Sequence, residues 1–325
     1  MTSLTLVPQR PKTADMIRAE IREDPERQQM LREATAELLT AVEAFIGRYV
    51  ALPSEAASVT AALYVLHTWA IDACDATPYL IIRSVEPGSG KTRLLEVLEL
   101  LVRKPWKTSS TTEAAMFRKI EQDHPTLLLD EVDAMFSYGR RQEGMRSILN
   151  AGNRRGATVT RCDGKGSFRE HKTFGAKVLA GLDNGEMPDT VADRSIVIAM
   201  RKRTGEQPIA RFRPRVAEGE AHPLKLTLEA WSLIATESLA SVAPVLPENV
   251  SDRAADAWEP LLALAEYAEG DWTERTHSAV HALTAPPEGQ DTSQEDETPP
   301  AALLPGLQAL WAPQMTSPAT QEVTA

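Results

Sequence analysis

The chain has 325 residues, 42% of them hydrophobic, which is ordinary for a globular protein and enough for about two domains of the usual ~150 residues. No apolar run approaches the ~20 residues that span a bilayer. Met1 to Arg10 lack the basic-then-apolar pattern of a secretory leader, and Cys74 and Cys162 are too few and too far apart for a disulfide framework or a metal site. These features point away from membranes and secretion and toward a reducing cytoplasm. The net charge of −11 is unevenly spread, because Tyr138 to Arg215 hold 17 Lys/Arg against 8 Asp/Glu. A basic middle in an acidic chain suggests a local anion-binding surface, with ATP, a neighbouring subunit and DNA competing for those arginines.

Residues 1–12 contain Pro8 and Pro11 and no apolar period, and are expected to be disordered. Within 13–50, Leu31, Leu38, Leu39, Val42 and Phe45 recur at helical spacing. Pro53-Ser54-Glu55 starts another helix, strongly apolar over 59–72. Segment 13–78 therefore reads as an N-terminal helical element. Tyr79–Ser84 is an apolar strand, and it runs into Pro87-Gly-Ser-Gly-Lys-Thr, the core of a phosphate loop. Gly88, Ser89 and Gly90 are small enough for backbone N–H groups to turn inward around phosphates. Lys91 adds a point charge for the β- and γ-phosphates, and Thr92 offers a hydroxyl to Mg²⁺. The helix from Arg93 to Val102 aims its N-terminal dipole at the same anion, so Pro87 to Arg93 form the expected ATP cradle. Val85 stands where the full pattern wants glycine.

Trp106–Ser109 reads as a short strand and Thr112–Gln122 as a helix. Thr126–Asp130 is an apolar strand closing on paired carboxylates. Asp130 is expected to hold magnesium through water, and Glu131 to polarise the attacking water. A helix over 141–151 precedes a β-hairpin at 157–174, with Asp163-Gly164 at its turn, Lys165 at its tip, and Arg161 and Arg169 on its strands. Strand 176–182 ends in Asp183-Asn184, either of which can orient the water or touch the γ-phosphate. Arg194, directly before strand 195–200, reads as a γ-phosphate ligand supplied across a subunit boundary, or as an ion pair with Asp193 or Asp189. The strand–helix alternation over 79–215 requires an α/β fold, a mostly parallel sheet with helices on both faces. Helices at 221–242 and 252–268 make 216–285 a plausible helical lid. The tail 286–325 has no Lys or Arg and cannot bury enough surface to fold, although Leu303, Leu304, Leu307, Leu310 and Trp311 would share one face of a partner-docking helix.

Taken together, residues 91–101, 126–133, 149–159 (Leu-Asn-Ala-Gly-Asn-Arg-Arg-Gly-Ala-Thr-Val), 188–196 (Pro-Asp-Thr-Val-Ala-Asp-Arg-Ser-Ile) and 251–261 (Ser-Asp-Arg-Ala-Ala-Asp-Ala-Trp-Glu-Pro-Leu) resemble an uncharacterised AAA+-like P-loop ATPase domain of actinobacteria, their plasmids and their phages. The resemblance covers roughly residues 50–275. Val85 and Asn153, where similar sequences tend to have His, depart from it. It implies a homo-oligomeric, hexameric ring that uses ATP and Mg²⁺ near DNA metabolism, often beside primase or other replication proteins. It also implies that the hairpin tip, Lys165, lines a central pore and grips single-stranded DNA. The leading expectation is an ATP-driven helicase or translocase serving phage or plasmid replication. The alternative is a regulatory switch or helicase loader that does not unwind. A small-molecule kinase also uses Gly-Ser-Gly-Lys-Thr, but it needs neither Glu131 nor a trans arginine.

Overall fold

The computed structural model describes residues 13–133, 142–162, 167–182, 187–203, 208–248 and 250–285. Among the described residues there are seven strands: β1 (Tyr79–Ser84), β2 (Pro105–Thr108), β3 (Thr126–Leu129), β4 (Thr158–Cys162), β5 (Phe168–Lys172), β6 (Lys177–Leu182) and β7 (Ser195–Ala199). Five of them make one sheet in the order β2-β3-β6-β1-β7, with every neighbouring pair parallel. β4 and β5 form a separate antiparallel hairpin.

Alternation along each strand assigns the two faces, because successive side chains point to opposite sides. Leu80, Ile82, Leu128, Val178, Ala180, Ile196 and Ile198 belong to one core. Tyr79, Ile81, Leu127, Leu129 and Leu179 belong to the other. The smaller core is closed by α5 (Glu113–Asp123) through Met116, Phe117 and Ile120, and by α6 (Gln142–Ala151) through Ile148 and Leu149. A one-turn helix, α7 (Asp189–Ala192), adds Val191.

The larger core is covered by α4 (Lys91–Leu101) and by two groups of helices from opposite ends of the chain: α1 (Ala14–Glu23), α2 (Pro25–Tyr49) and α3 (Glu55–Ala70), with α8 (Pro214–Leu239), α9 (Asp252–Ala268) and α10 (Asp271–Thr284). Segments 13–78 and 216–285, read separately from sequence, share this one cluster. Trp231 on α8 donates to Thr35 on α2 at 2.9 Å, and α10 packs on both α3 and α9. No helix among the described residues is long and apolar enough to cross a membrane.

The helix ends follow local chemistry. Ser54 caps α3 by accepting from the Ala57 N–H, Thr112 caps α5 through Ala115, and Asp24 caps α2 ahead of Pro25 at its first turn. α8 begins at Arg213-Pro214, seven residues before the apolar period makes it visible, and runs through Pro223 without ending. α4, like α7, α8 and α10, starts without a capping side chain. Its N-cap is Gly90, and no side chain satisfies its first N–H groups.

Candidate nucleotide-binding site

The loop from Ser84 to Lys91 joins the carboxyl end of β1, at the centre of the sheet, to α4. Gly88 (φ 76°) and Gly90 (φ 93°) both lie in the left-handed region, which glycine enters at little cost and other residues rarely adopt. That backbone leaves α4 with an uncapped, electropositive N-terminus facing the loop. Ser89 is buried and its Oγ has no hydrogen-bond partner. Two left-handed glycines, free helix N–H groups and a buried orphan hydroxyl fit an anion such as a polyphosphate.

Lys91 begins α4, and its Nζ donates to Ser84 Oγ, which in turn donates to the Glu86 carbonyl at 2.8 Å. Burial lowers the Lys91 pKa, while the charges of Asp133 and then Asp130 oppose that shift. Lys91, Asp130 and Asp133 therefore share one electrostatic site at the carboxyl ends of β1, β3 and β6. Thr92 is exposed at the mouth of the loop. Arg93 is already engaged: its guanidinium lies 4.2 Å from the Phe212 ring centroid and pairs with Glu96 at 3.1 Å.

Beyond β3 the chain turns sharply. Asp130 accepts from the Glu131 N–H at 3.1 Å, and Glu131 is exposed with φ 56°, a left-handed conformation that a non-glycine residue holds at a cost of order 1–3 kcal/mol. Asp133 Oδ1 accepts from the Leu182 N–H at 3.0 Å, which ties this turn to the end of β6. Gly181 makes that approach possible, since a Cβ there would meet Asp133 Oδ1 at 2.7 Å and Val132 Cγ2 at 2.9 Å. Asp133 and Gly181 were missed in the sequence reading. The signal was present, because Asp133 follows the paired carboxylates as the end of Asp130-Glu-Val-Asp133, but nothing in one sequence says that it reaches β6. Asp183 and Asn184 follow Leu182 directly and lie outside the described residues.

Arg194 is at the other end of the sheet. Ser195 is in register with Tyr79, the first residue of β1, and the Tyr79 N–H donates to the Arg194 carbonyl at 3.0 Å. Six strand residues, roughly 20 Å at ~3.3 Å per residue, separate it from the loop of its own chain. Its guanidinium donates to the Thr190 carbonyl, and Asp193 pairs with Arg253 instead.

β4 and β5 pair antiparallel as expected, the Asp163-Gly164 turn lies outside the described residues, and the register separates two faces. Arg161 and Arg169 sit opposite each other, on the face that meets α5. Arg161 pairs with Glu113 at 2.9 Å over the Phe117 ring, and Arg169 pairs with Glu121 at 3.0 Å. Buried His171 shares Glu121 at 2.9 Å. Both arginines thus act as clamps on α5. The outward face shows Thr158, Thr160, Phe168 and Lys172, all exposed. Lys165 lies outside the described residues.

Comparison with known proteins places residues 199–322 in a match to the family described as "Protein of unknown function (DUF3631)". That span holds α8 to α10 and stops short of the phosphate loop. An "Uncharacterized 28.9 kDa protein in xis 5'region" of Saccharopolyspora erythraea is 36% identical over 95 residues, 29% of this chain and 35% of the relative's length. Among solved structures, JCV helicase superposes with a TM-score of 0.32 at 17% identity, over 80% of this chain and 72% of the helicase. Its inhibitor-bound form also gives 0.32, at 15% identity over 70% and 66%.

Proposed function

We propose that the chain is a P-loop ATPase of the AAA+ kind, working as an oligomer on single-stranded DNA in phage or plasmid replication. The carrying observation is the loop itself: left-handed Gly88 and Gly90, the orphan Ser89 hydroxyl, and the uncapped start of α4 beside Lys91. In this reading the N–H groups of α4 and Lys91 cradle the β- and γ-phosphates of ATP. Thr92 and Asp130 would hold Mg²⁺, which supplies charge neutralisation on the phosphate oxygens. Glu131, exposed at the end of β3, takes a proton from water as the water oxygen bonds to the γ-phosphorus and the bond to the ADP oxygen breaks. Asp133 holds the turn that aims Glu131. Asp183 or Asn184 orients the water.

Arg194 completes the site of a second copy. It sits about a strand's length from its own phosphate loop, so only a neighbouring chain can present a nucleotide to it. Such a contact implies a ring or stack of subunits. The test is ATP turnover by Glu131→Gln protein. Removal of one acid–base group lowers turnover ~10²–10⁴-fold while nucleotide binding persists, because the cradle is intact. Turnover at the wild-type rate would sink the assignment.

A second reading, an ATP-dependent switch or loader without unwinding, is favoured by one observation. The hairpin arginines pair with Glu113 and Glu121, which takes two of its described cations away from a DNA backbone. ATP turnover that ignores added single-stranded DNA selects this reading.

A further inference from the structure

Three sequence motifs that the phosphate loop does not use meet in one place. Arg154 comes from 149–159, Asp193 and Arg194 from 188–196, and Arg253 and Asp256 from 251–261. With Ala76, Thr77, Asn153 and Ala257 they line a cavity of about 150 Å³ at the amino end of β1 and β7. Each arginine is set on a fixed backbone. Arg154 forms a bridge with Ala76, Arg194 is bonded to the Tyr79 N–H, and Arg253 lies in the first turn of α9 behind its Ser251 cap. Two carboxylates occupy two of the guanidinium groups: Asp193 pairs with Arg253, and Asp256 pairs with Arg154 at 2.8 Å.

We infer that Arg154, Arg194 and Arg253 form a three-arginine receptor for a phosphate group presented by a second copy of this chain, held closed in the isolated chain by Asp193 and Asp256. This rests on the reading of Arg194 as a trans residue. The size decides the ligand. About 150 Å³ admits a phosphate group and falls well short of the ~300 Å³ at which small-molecule pockets begin, so the rest of the nucleotide must stay with its owner. The charge agrees, since three arginines and two carboxylates line the cavity, and the Arg194 guanidinium, which donates to the Thr190 carbonyl, takes neither carboxylate. Exposed Arg–Asp pairs are worth about 0–1 kcal/mol, whereas a phosphate dianion accepts forked, charge-assisted bonds from several arginines together. Phosphate therefore displaces the carboxylates. Because Arg253 and Asp256 are both on α9, the exchange also releases that helix from Asp193 and Arg154.

The experiment uses full-length Lys91→Ala protein, in which the phosphate loop is disabled, and pyrophosphate as the probe, followed by calorimetry. Pyrophosphate is expected to bind, to lose at least about tenfold in affinity with Arg253→Gln or Arg154→Gln added, and to bind more tightly with Asp256→Asn. Arg253→Lys should recover part of the loss. Thermal unfolding of each variant separates these effects from misfolding. In parallel, each arginine variant is mixed with Lys91→Ala protein. Arg194→Ala and Arg253→Gln should each regain turnover on mixing, since each protein supplies the half-site the other lacks. If the Arg194→Ala mixture regains activity while Arg253→Gln and Arg154→Gln bind pyrophosphate and turn over as wild type, the receptor is overturned and the trans reading stands. If pyrophosphate binding needs all three arginines but no mixture regains activity, the receptor stands and the trans reading falls.

Discussion

Lys177 shows how much one residue can hold without touching the site. It is fully buried at the start of β6, and its Nζ donates to the carbonyls of Gly152 (3.2 Å), Thr173 (3.0 Å) and Gly175 (2.8 Å), 4.9 Å from the Tyr79 ring centroid. It pins the end of α6 and the exit of the hairpin to the sheet, with no carboxylate partner among the described residues. Burial pushes its pKa down from 10.5 to about 7. Between those values the unfolded chain binds a proton that the folded chain binds less, so the group opposes folding more and more as pH falls toward 7, and no further below it. Stability is therefore expected to rise from pH 7 to 9 by up to about 1.4 kcal/mol per unit from this residue alone. Lys177→Met should remove that slope while lowering stability at every pH, because buried carbonyls lose their donor whether the amine is charged or neutral. Urea unfolding at a series of pH values checks it; parallel curves for the two proteins would refute the assignment.

At the scale of elements, the hairpin carries the sharpest test of what the basic middle of the chain is for. With Arg161 and Arg169 paired to α5, the proposed grip on single-stranded DNA rests on Lys165 and the outward face. Lys165→Ala is expected to weaken binding to a fluorescent oligonucleotide and to make it less salt-dependent, since each lost phosphate contact removes counterion release. Basal ATP turnover should be unchanged. Arg169→Gln should instead lower thermal stability with little effect on DNA affinity, and the reverse pattern would return Arg169 to the DNA. The contrast also marks where sequence reading stops. Strands β1, β3, β6 and β7, the glycine turn before α4, the start of α3 and the pairing of β4 with β5 are local signals, and they are readable because the residues that cause them are neighbours in the chain. Which hairpin face meets α5 depends on Glu113 and Glu121, some 50 residues away in sequence, on an element whose own periodicity says nothing about its partner. Asp133 reaching the Leu182 N–H, and three arginines converging from separate motifs, are long-range in the same sense. α10 was overlooked although Trp272, Thr276, Ala279 and Val280 mark an apolar stripe, because its left-handed Gly270 start lacks a capping side chain.

At the scale of the molecule, α10 decides where the folded part can be cut. Its Trp272, Thr276, Ala279 and Val280 are all buried against α3 and α9. Arg275 lies over the Trp272 ring and reaches back to Glu43 on α2 at 2.7 Å and Glu55 on α3 at 2.9 Å. α10 therefore closes a layer begun by α1, α2 and α3, and that layer supports α4 and so the loop before it. Losing a buried tryptophan alone costs about 3–5 kcal/mol, a large part of the ~5–15 kcal/mol that a domain has. Truncation after Ala268 is thus expected to leave an unfolded or insoluble chain. Truncation after Ala285 keeps every one of these contacts, and it removes a segment whose charge is entirely acidic. That protein should retain its melting temperature and its rate of ATP turnover. A matched pair of truncations, followed by circular dichroism and phosphate release, reads both outcomes at once. A large loss of turnover in the longer truncation would show that 286–325, most of which lies within the family match to residue 322, contributes to the proposed activity.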